Sequence, residues 1–187
     1  MEKLEMSKQW WAEVNDLETA KYRIYNEDSF KYDKVLPYLN FNDKTVLDFG
    51  CGIGRNLKFL THSAAKEIFG FDMPNMLNLA QSFLTEEELN KVQFLCEPLD
   101  EFPKVDVVTA LIVFQHMDIP TLQRYLQMLS DCLNPGGIMY VMSRGYIDHE
   151  LGNIWPHIIK YFEPITSLYP EDFSEKHQTC LFKPIKE

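Results

Sequence analysis

Long apolar runs, basic runs and paired cysteines are all missing from this chain, and each absence removes a class of protein. The longest apolar stretch, Val105 to Val113, is broken by Asp106 and Thr109. It falls far short of the ~20 residues that a membrane-spanning helix needs, so no membrane partner is expected. The N-terminal stretch Met1-Glu2-Lys3-Leu4-Glu5-Met6 has none of the apolar core of a secretory signal. Four cysteines, Cys51, Cys96, Cys132 and Cys180, lie far apart with no C-x-x-C pair, which excludes a disulfide framework and fits a reducing cytoplasm. Lysine and arginine number 18 against 28 acidic residues, a formal net charge of −10, and no basic run offers a footprint for a phosphate backbone. The expected partner is therefore a small molecule and not a nucleic acid. The expected state is a cytoplasmic monomer or homodimer. With no internal repeat and no low-complexity linker, 187 residues make one domain with a well-buried core.

Two regions differ in texture. Residues 1–42 mix aromatics such as Trp10, Trp11, Tyr22, Tyr25 and Tyr38 with charge, and read as two or three short helices ending near Pro37. These aromatics read first as helix-packing residues, with a candidate substrate lid at Trp11, Tyr22 and Tyr25 as the other reading. From Lys44 onward strands and helices alternate. Thr45–Phe49, Glu67–Phe71 and Val92–Cys96 read as strands, with helices from Asn56 to about Ala65 and from Met76 to Phe83. Thr85 and Glu88 make a capping-box signal. Asp106–Val113 is the β-branched apolar run of a strand buried on both faces. Leu122, Tyr125, Leu126, Leu129 and Leu133 recur at helical spacing until Asn134-Pro135-Gly136-Gly137 stops them, and Ile138–Met142 is a fifth strand. Ile165–Tyr169 and Gln178–Phe182 read as a hairpin. The fold class is α/β: a doubly wound, mostly parallel seven-stranded sheet with an antiparallel C-terminal hairpin and helices on both faces.

The chemistry concentrates at Val46-Leu47-Asp48-Phe49-Gly50-Cys51-Gly52-Ile53-Gly54-Arg55, an apolar strand that breaks into alternating glycines and restarts as a helix. Glycines let a ligand approach backbone that a Cβ would block. The dinucleotide fingerprint Gly-x-Gly-x-x-Gly would need glycine where Arg55 stands, and a pyrophosphate would meet the carboxylate of Asp48. A ligand with a cationic head suits the site better, and S-adenosylmethionine, with its ammonium and sulfonium, is of that kind. In doubly wound sheets ligands bind outside the carboxyl ends of the strands. The candidate positions are therefore Asp48 with the glycine loop, Asp72-Met73, Glu97 to Asp100, Leu111 to His116, and Ser143-Arg144.

Residues 46–55 closely resemble the first motif of the class I S-adenosylmethionine-dependent methyltransferases, of the small single-domain kind that modify metabolites. The resemblance runs from about residue 44 to 142. Gly70-Phe71-Asp72-Met73 is similar to the second motif, which implies that Asp72 grips both ribose hydroxyls while Met73 flanks the adenine. Where the family often has an aspartate for the adenine amino group this chain has Pro98; Leu99 can still offer its backbone N–H, with Asp100 or Glu97 as the substitute acceptor. The resemblance thus implies cofactor contacts at Asp48, Gly50, Cys51, Gly52, Gly54, Asp72, Met73, Leu99, Asp100 and Leu111. It also implies one domain over 1–187, with 1–42 as a helical segment and 43–187 as the cofactor-binding core.

Methyl transfer from a sulfonium requires alignment of the acceptor, and a base if that acceptor carries a proton. His116 is the candidate base, because imidazole titrates near neutrality, and Gln115 the candidate for holding the acceptor. A helix cap or a backbone bond is the other reading of His116. Asp48 likewise reads either as a cofactor contact or as a brace for the loop. Asp148-His149-Glu150 reads as a solvated loop, and no metal-ligand set is found. The expected activity is methyl transfer to an oxygen or nitrogen of a small polar metabolite, with a cofactor-binding regulatory module as the alternative.

Overall fold

The computed structural model of the protein describes residues 9–23, 39–144, 154–168 and 177–185. Its contacts divide it into two compact units, one spanning Trp10–Leu99 and one from Asp100 onward.

The first unit contains α1 (Leu17–Arg23), β1 (Thr45–Phe49), α2 (Arg55–Thr61), β2 (Glu67–Phe71), α3 (Pro74–Phe83), α4 (Glu86–Leu89) and β3 (Val92–Leu95). The strands are parallel, in the order β3-β2-β1. Thr45 pairs with Glu67 and Phe49 with Phe71, so β1 and β2 end level, and the rings of Phe49 and Phe71 stack 5.2 Å apart at that end. A buried run in both strands explains the near-continuous apolar sequence. Helix α2 stops at Thr61, short of Ala65. The side chains of Thr61 and His62 both bond the carbonyl of Lys58, and Ser63 Oγ donates to that of Leu60. Polar side chains thus take up the last carbonyls and end the helix. Helix α3 begins earlier than Met76, at Pro74, where a missing N–H costs nothing. The capping box forms as read, with Glu88 N donating to Thr85 Oγ1 at 3.3 Å and Thr85 N to Glu88 Oε2 at 2.8 Å.

The second unit holds β4 (Val105–Leu111), a 3₁₀ turn (Phe114–His116), α5 (Ile119–Cys132), β5 (Leu133–Arg144), α6 (Trp155–Ile158), β6 (Phe162–Leu168) and β7 (His177–Pro184). β5 lies parallel to β4, while β7 runs antiparallel to both β5 and β6, giving the order β4-β5-β7-β6. Leu122, Tyr125, Leu126 and Leu129 of α5 are buried, as their spacing predicts. The Asn134–Gly137 stretch differs from its reading as a loop. The strand starts at Leu133, paired with Val105, and the register then jumps to Val107 against Ile138. A bulge absorbs the extra residues, held by Asn134 Nδ2 donating to Asp106 Oδ1 at 3.0 Å. Parallel strands joined by helices and closed by an antiparallel pair, seven strands among the described residues, are the expected α/β class. No helix among the described residues is long and apolar enough to cross a membrane.

Gly137 is tightly confined. A Cβ there would come within 2.9 Å of the Asn134 carbonyl oxygen and 3.1 Å of that of Asp106, and backbone cannot step aside as a side-chain tip can. Gly137→Ala is therefore expected to destabilise the protein by about 1–3 kcal/mol in urea unfolding.

Candidate functional site

The level ends of β1 and β2 feed two turns that are locked to each other. Gly50, Gly52 and Gly54 all have positive φ. The amides of Gly50 and Cys51 both donate to the carbonyl of Phe71, at 2.8 and 3.0 Å, and Gly54 N donates to Cys51 O at 3.0 Å. Gly52 N donates to Asp72 Oδ2 at 2.7 Å, while Asp72 Oδ1 accepts from Met73 N, also at 2.7 Å. Four loop amides are thus spent inside the protein. A phosphate nest needs such amides free and converging on the ligand. This loop is instead shaped by an acid, and that acid keeps lone pairs for hydroxyl or ammonium donors, since an ionised carboxylate has about four acceptor sites. The site fits a ligand that brings hydrogen-bond donors. Among the described residues there is room for one: a Cβ on Gly52 would find only Met76 Cε, at 4.0 Å. Gly54 serves packing as well as conformation, because a Cβ there would meet Leu84 Cδ1 at 3.3 Å.

Burial sets the electrostatics. Desolvation pushes Asp72 up to about 6, outweighing the two amides that favour its charged form. Burial, and then the charges of Asp72 and Asp48, push the Cys51 thiol well above its ordinary range. Cys51 therefore stays protonated and packs beside Gly70, whose Cβ position lies 3.3 Å from its sulfur. Asp48 is fully buried within β1, opposite Gly70 in the register.

Part of the N-terminal segment covers this corner. Val14 and Ala20 are fully buried with Ile53, Met76 and Leu79, and Trp11, Leu17, Met73 and Phe83 pack against them. Asn75, at the start of α3, donates its amide to the carbonyls of Trp11 and Val14, both at 2.9 Å. Trp11 thus packs against this cluster; the side chain of Tyr22 and all of Tyr25 lie outside the described residues. Asn75 and the buried Asn56 of α2 were not among the expected site residues. Asn56 had a legible signal, a polar residue on a face otherwise formed by Leu57, Leu60 and Thr61. The partners of Asn75 are more than sixty residues away and left no local trace.

In the second unit Leu111 ends β4 buried, and Ile112 turns the chain with φ 59° while its N–H donates to Met142 O at 2.7 Å. A β-branched residue in the left-handed region costs about 1–3 kcal/mol, and such strain gathers at functional turns. Beyond it Gln115 is buried, and its Nε2 lies 3.2 Å from His116 Nε2. Asp118, not His116, caps α5, accepting from Thr121 N at 2.7 Å. Leu99 is half-buried and Asp100 exposed, both following β3. Asp148-His149-Glu150 lies outside the described residues, and among those described no three His, Cys, Asp or Glu group to hold a metal. The structure thus draws the glycine loop, Asp72 and Met73 into one hydrogen-bonded cluster, and Gln115 and His116 into another.

The shift at Asp72 fixes a sign. Its folded pKa of about 6 lies above the ordinary 3.8, so the folded state holds the proton more tightly. This residue's contribution is fully present below about pH 4 and is lost as pH rises through about 6. Urea unfolding of wild type and Asp72→Asn between pH 4 and 7 is expected to show a downward component of stability in the wild type that the variant lacks.

Comparison with known proteins places these features. The family model described as "Methyltransferase domain" matches residues 46–137. The chain is 32% identical over 114 residues to the tRNA U34 carboxymethyltransferase of Pseudomonas fluorescens, an alignment covering 58% of this chain and 35% of that protein. It is 27% identical over 135 residues to the mitochondrial ubiquinone biosynthesis O-methyltransferase of Dictyostelium discoideum, covering 65% and 40%. The fold is that of the magnesium protoporphyrin IX methyltransferase of Synechocystis solved with bound S-adenosylmethionine (TM-score 0.68, 18% identity, 95% of this chain and 96% of that one). The chain spans a third to a half of the length of the curated relatives it matches, 35% to 48% for the first three. One expectation is overturned by them: a small-molecule partner with no nucleic acid does not stand beside relatives named for tRNA. Net charge sums a whole surface, whereas phosphate recognition depends on where cations cluster, so −10 excludes no RNA acceptor. Residues 46–137 thus match a methyltransferase domain, and the fold is the one found in S-adenosylmethionine-dependent methyltransferases of known structure.

Proposed function

We propose that this chain transfers a methyl group from S-adenosylmethionine to a nucleoside of tRNA, working as one domain over residues 1–187. The observation that carries the donor half of this reading is the Asp72 cluster: loop amides turned inward, and a carboxylate with capacity for donors beside open space at Gly52. The acceptor half rests on the relatives named for tRNA U34. Bound there, the cofactor supplies an electrophilic methyl on a sulfonium whose leaving group is already attached.

The chain's own residues hold and orient. Asp72 accepts from the ribose hydroxyls and Met73 flanks the adenine, with Leu99 on the adenine side. Asp48, through its charge, and Gly50, Cys51, Gly52 and Gly54, through close backbone approach, serve the amino-acid end. Gln115 holds the acceptor atom and His116 Nε2 takes its proton.

Incubation with methyl-labelled cofactor and total tRNA is expected to label RNA. Label appearing in a small-molecule fraction instead would overturn the acceptor while sparing the donor; tight cofactor binding with no transfer anywhere would favour a binding module. His116→Ala should leave affinity for S-adenosylhomocysteine intact and slow transfer roughly 10²–10⁴-fold. Unchanged turnover would remove His116 from the chemistry. Because an ionised carboxylate is the stronger acceptor for ribose hydroxyls, affinity for S-adenosylhomocysteine should level off above about pH 7 and weaken as pH falls through the Asp72 pKa of about 6. Calorimetry across that range checks it.

A further inference from the structure

Phe83, the last residue of α3, holds two cations on one ring. Lys21 Nζ of α1 lies over it at 5.4 Å from the ring centre, and Lys58 Nζ of α2 at 5.5 Å. Three helices thus bring two like charges to one spot. The ring attracts each ammonium weakly and neutralises neither. Neither lysine belongs to an ion pair among the described residues. The acids beside them are already engaged. Glu87 pairs with Lys91 at 2.9 Å, and the buried Glu88, within electrostatic reach of Lys58, accepts from Thr85 N at 2.8 Å and faces His62 Nε2 at 3.8 Å.

The same surface is poor in acid. Helix α2 carries Arg55 and Lys58 and no Asp or Glu, and α3 carries no charged residue at all. In a chain whose acids outnumber its bases by 28 to 18, that leaves a local excess of positive charge around Phe83. Lys58 is exposed, and Lys21 and Phe83 are half-buried, all within the first unit. A phosphodiester fits such a pair, because it brings negative charge and acceptor oxygens to ammoniums that offer three donors each and no acceptor. Lysine meets phosphate as a point charge, and contacts of this kind fix register and orientation without reading sequence. We propose that Lys21 and Lys58, gathered over Phe83, contact the phosphate backbone of the RNA acceptor. This rests on the acceptor reading above and gives it a docking surface.

The test follows binding of fluorescently labelled tRNA by anisotropy across a series of potassium chloride concentrations. It compares wild type with the double variants Lys21→Gln/Lys58→Gln and Lys21→Arg/Lys58→Arg. Each phosphate contact contributes about 0.7–0.9 to the slope of log affinity against log salt, so the Gln pair is expected to flatten that slope by about 1.4–1.8. The Arg pair, which keeps both charges, should retain the wild-type slope. Calorimetry should give all three proteins the same affinity for S-adenosylhomocysteine, because neither lysine is among the donor-binding residues. A wild-type slope in the Gln pair would overturn this inference and leave the acceptor reading standing. Equal flattening in the Arg pair, or a matching loss of S-adenosylhomocysteine affinity, would show a structural role and overturn it as well. Wild type with no measurable affinity for tRNA at low salt would overturn the acceptor reading itself, and this inference with it. Binding to phosphatidylglycerol vesicles that the Gln pair loses, beside tRNA binding that it keeps, would assign the surface to membrane lipid instead.

Discussion

A carboxylate at the end of one parallel strand that accepts the amide of the loop leaving its neighbour ties two chain turns into one object. Asp72 does this, with Oδ2 on Gly52 N and Oδ1 on Met73 N, each at 2.7 Å. The level ends of β1 and β2 make it possible, because Phe49 and Phe71 are register partners and both turns start at the same height. The Phe71 carbonyl adds the amides of Gly50 and Cys51 to the same lock. Removing the acid would leave two amides facing a missing acceptor, so the shape of the glycine loop depends on Asp72 as much as on its glycines.

This changes the meaning of the loop. Glycine-rich turns after a strand usually present amides to phosphate, and their electrostatics are positive. Here the amides face inward and the ionisable groups are acids, so the corner offers acceptors to a ligand that carries donors. The raised pKa of Asp72, about 6, reflects the cost of keeping that acid in poorly hydrated surroundings. Docking of Val14, Leu17 and Ala20 against Ile53, Met73 and Met76 helps exclude water from this unit, with the Asn75 amide fixing the segment through the Trp11 and Val14 carbonyls. The strained turn at Ile112 and the adjacent Gln115–His116 pair are the corresponding features of the second unit.

Most of the fold was legible because its signals are local. Apolar β-branched runs punctuated by acids and glycines marked β1, β2 and β4, and Thr85 with Glu88 marked a helix start that formed as read. Asp72 was legible as a strand-end acid. The misses share a cause, which is distance in sequence. Nothing local at Asn134–Gly137 tells that Asp106 will hold Asn134 and allow the strand to begin at Leu133. Nothing at Asn75 announces carbonyls at Trp11 and Val14. The direction of the loop amides was invisible for the same reason, since their acceptors, Phe71 and Asp72, become neighbours only when β2 pairs with β1. Net charge misled because it is a sum, while recognition is a pattern.

The central claim is that this corner reads hydrogen-bond donors and rejects phosphate. Calorimetric titration with S-adenosylhomocysteine and, separately, with adenosine diphosphate tests it most directly, because the two share the adenosine and differ in what they bring to the loop. The account predicts micromolar binding of S-adenosylhomocysteine and no detectable binding of adenosine diphosphate under the same conditions. Adenosine diphosphate binding as tightly as S-adenosylhomocysteine, or more tightly, would contradict it.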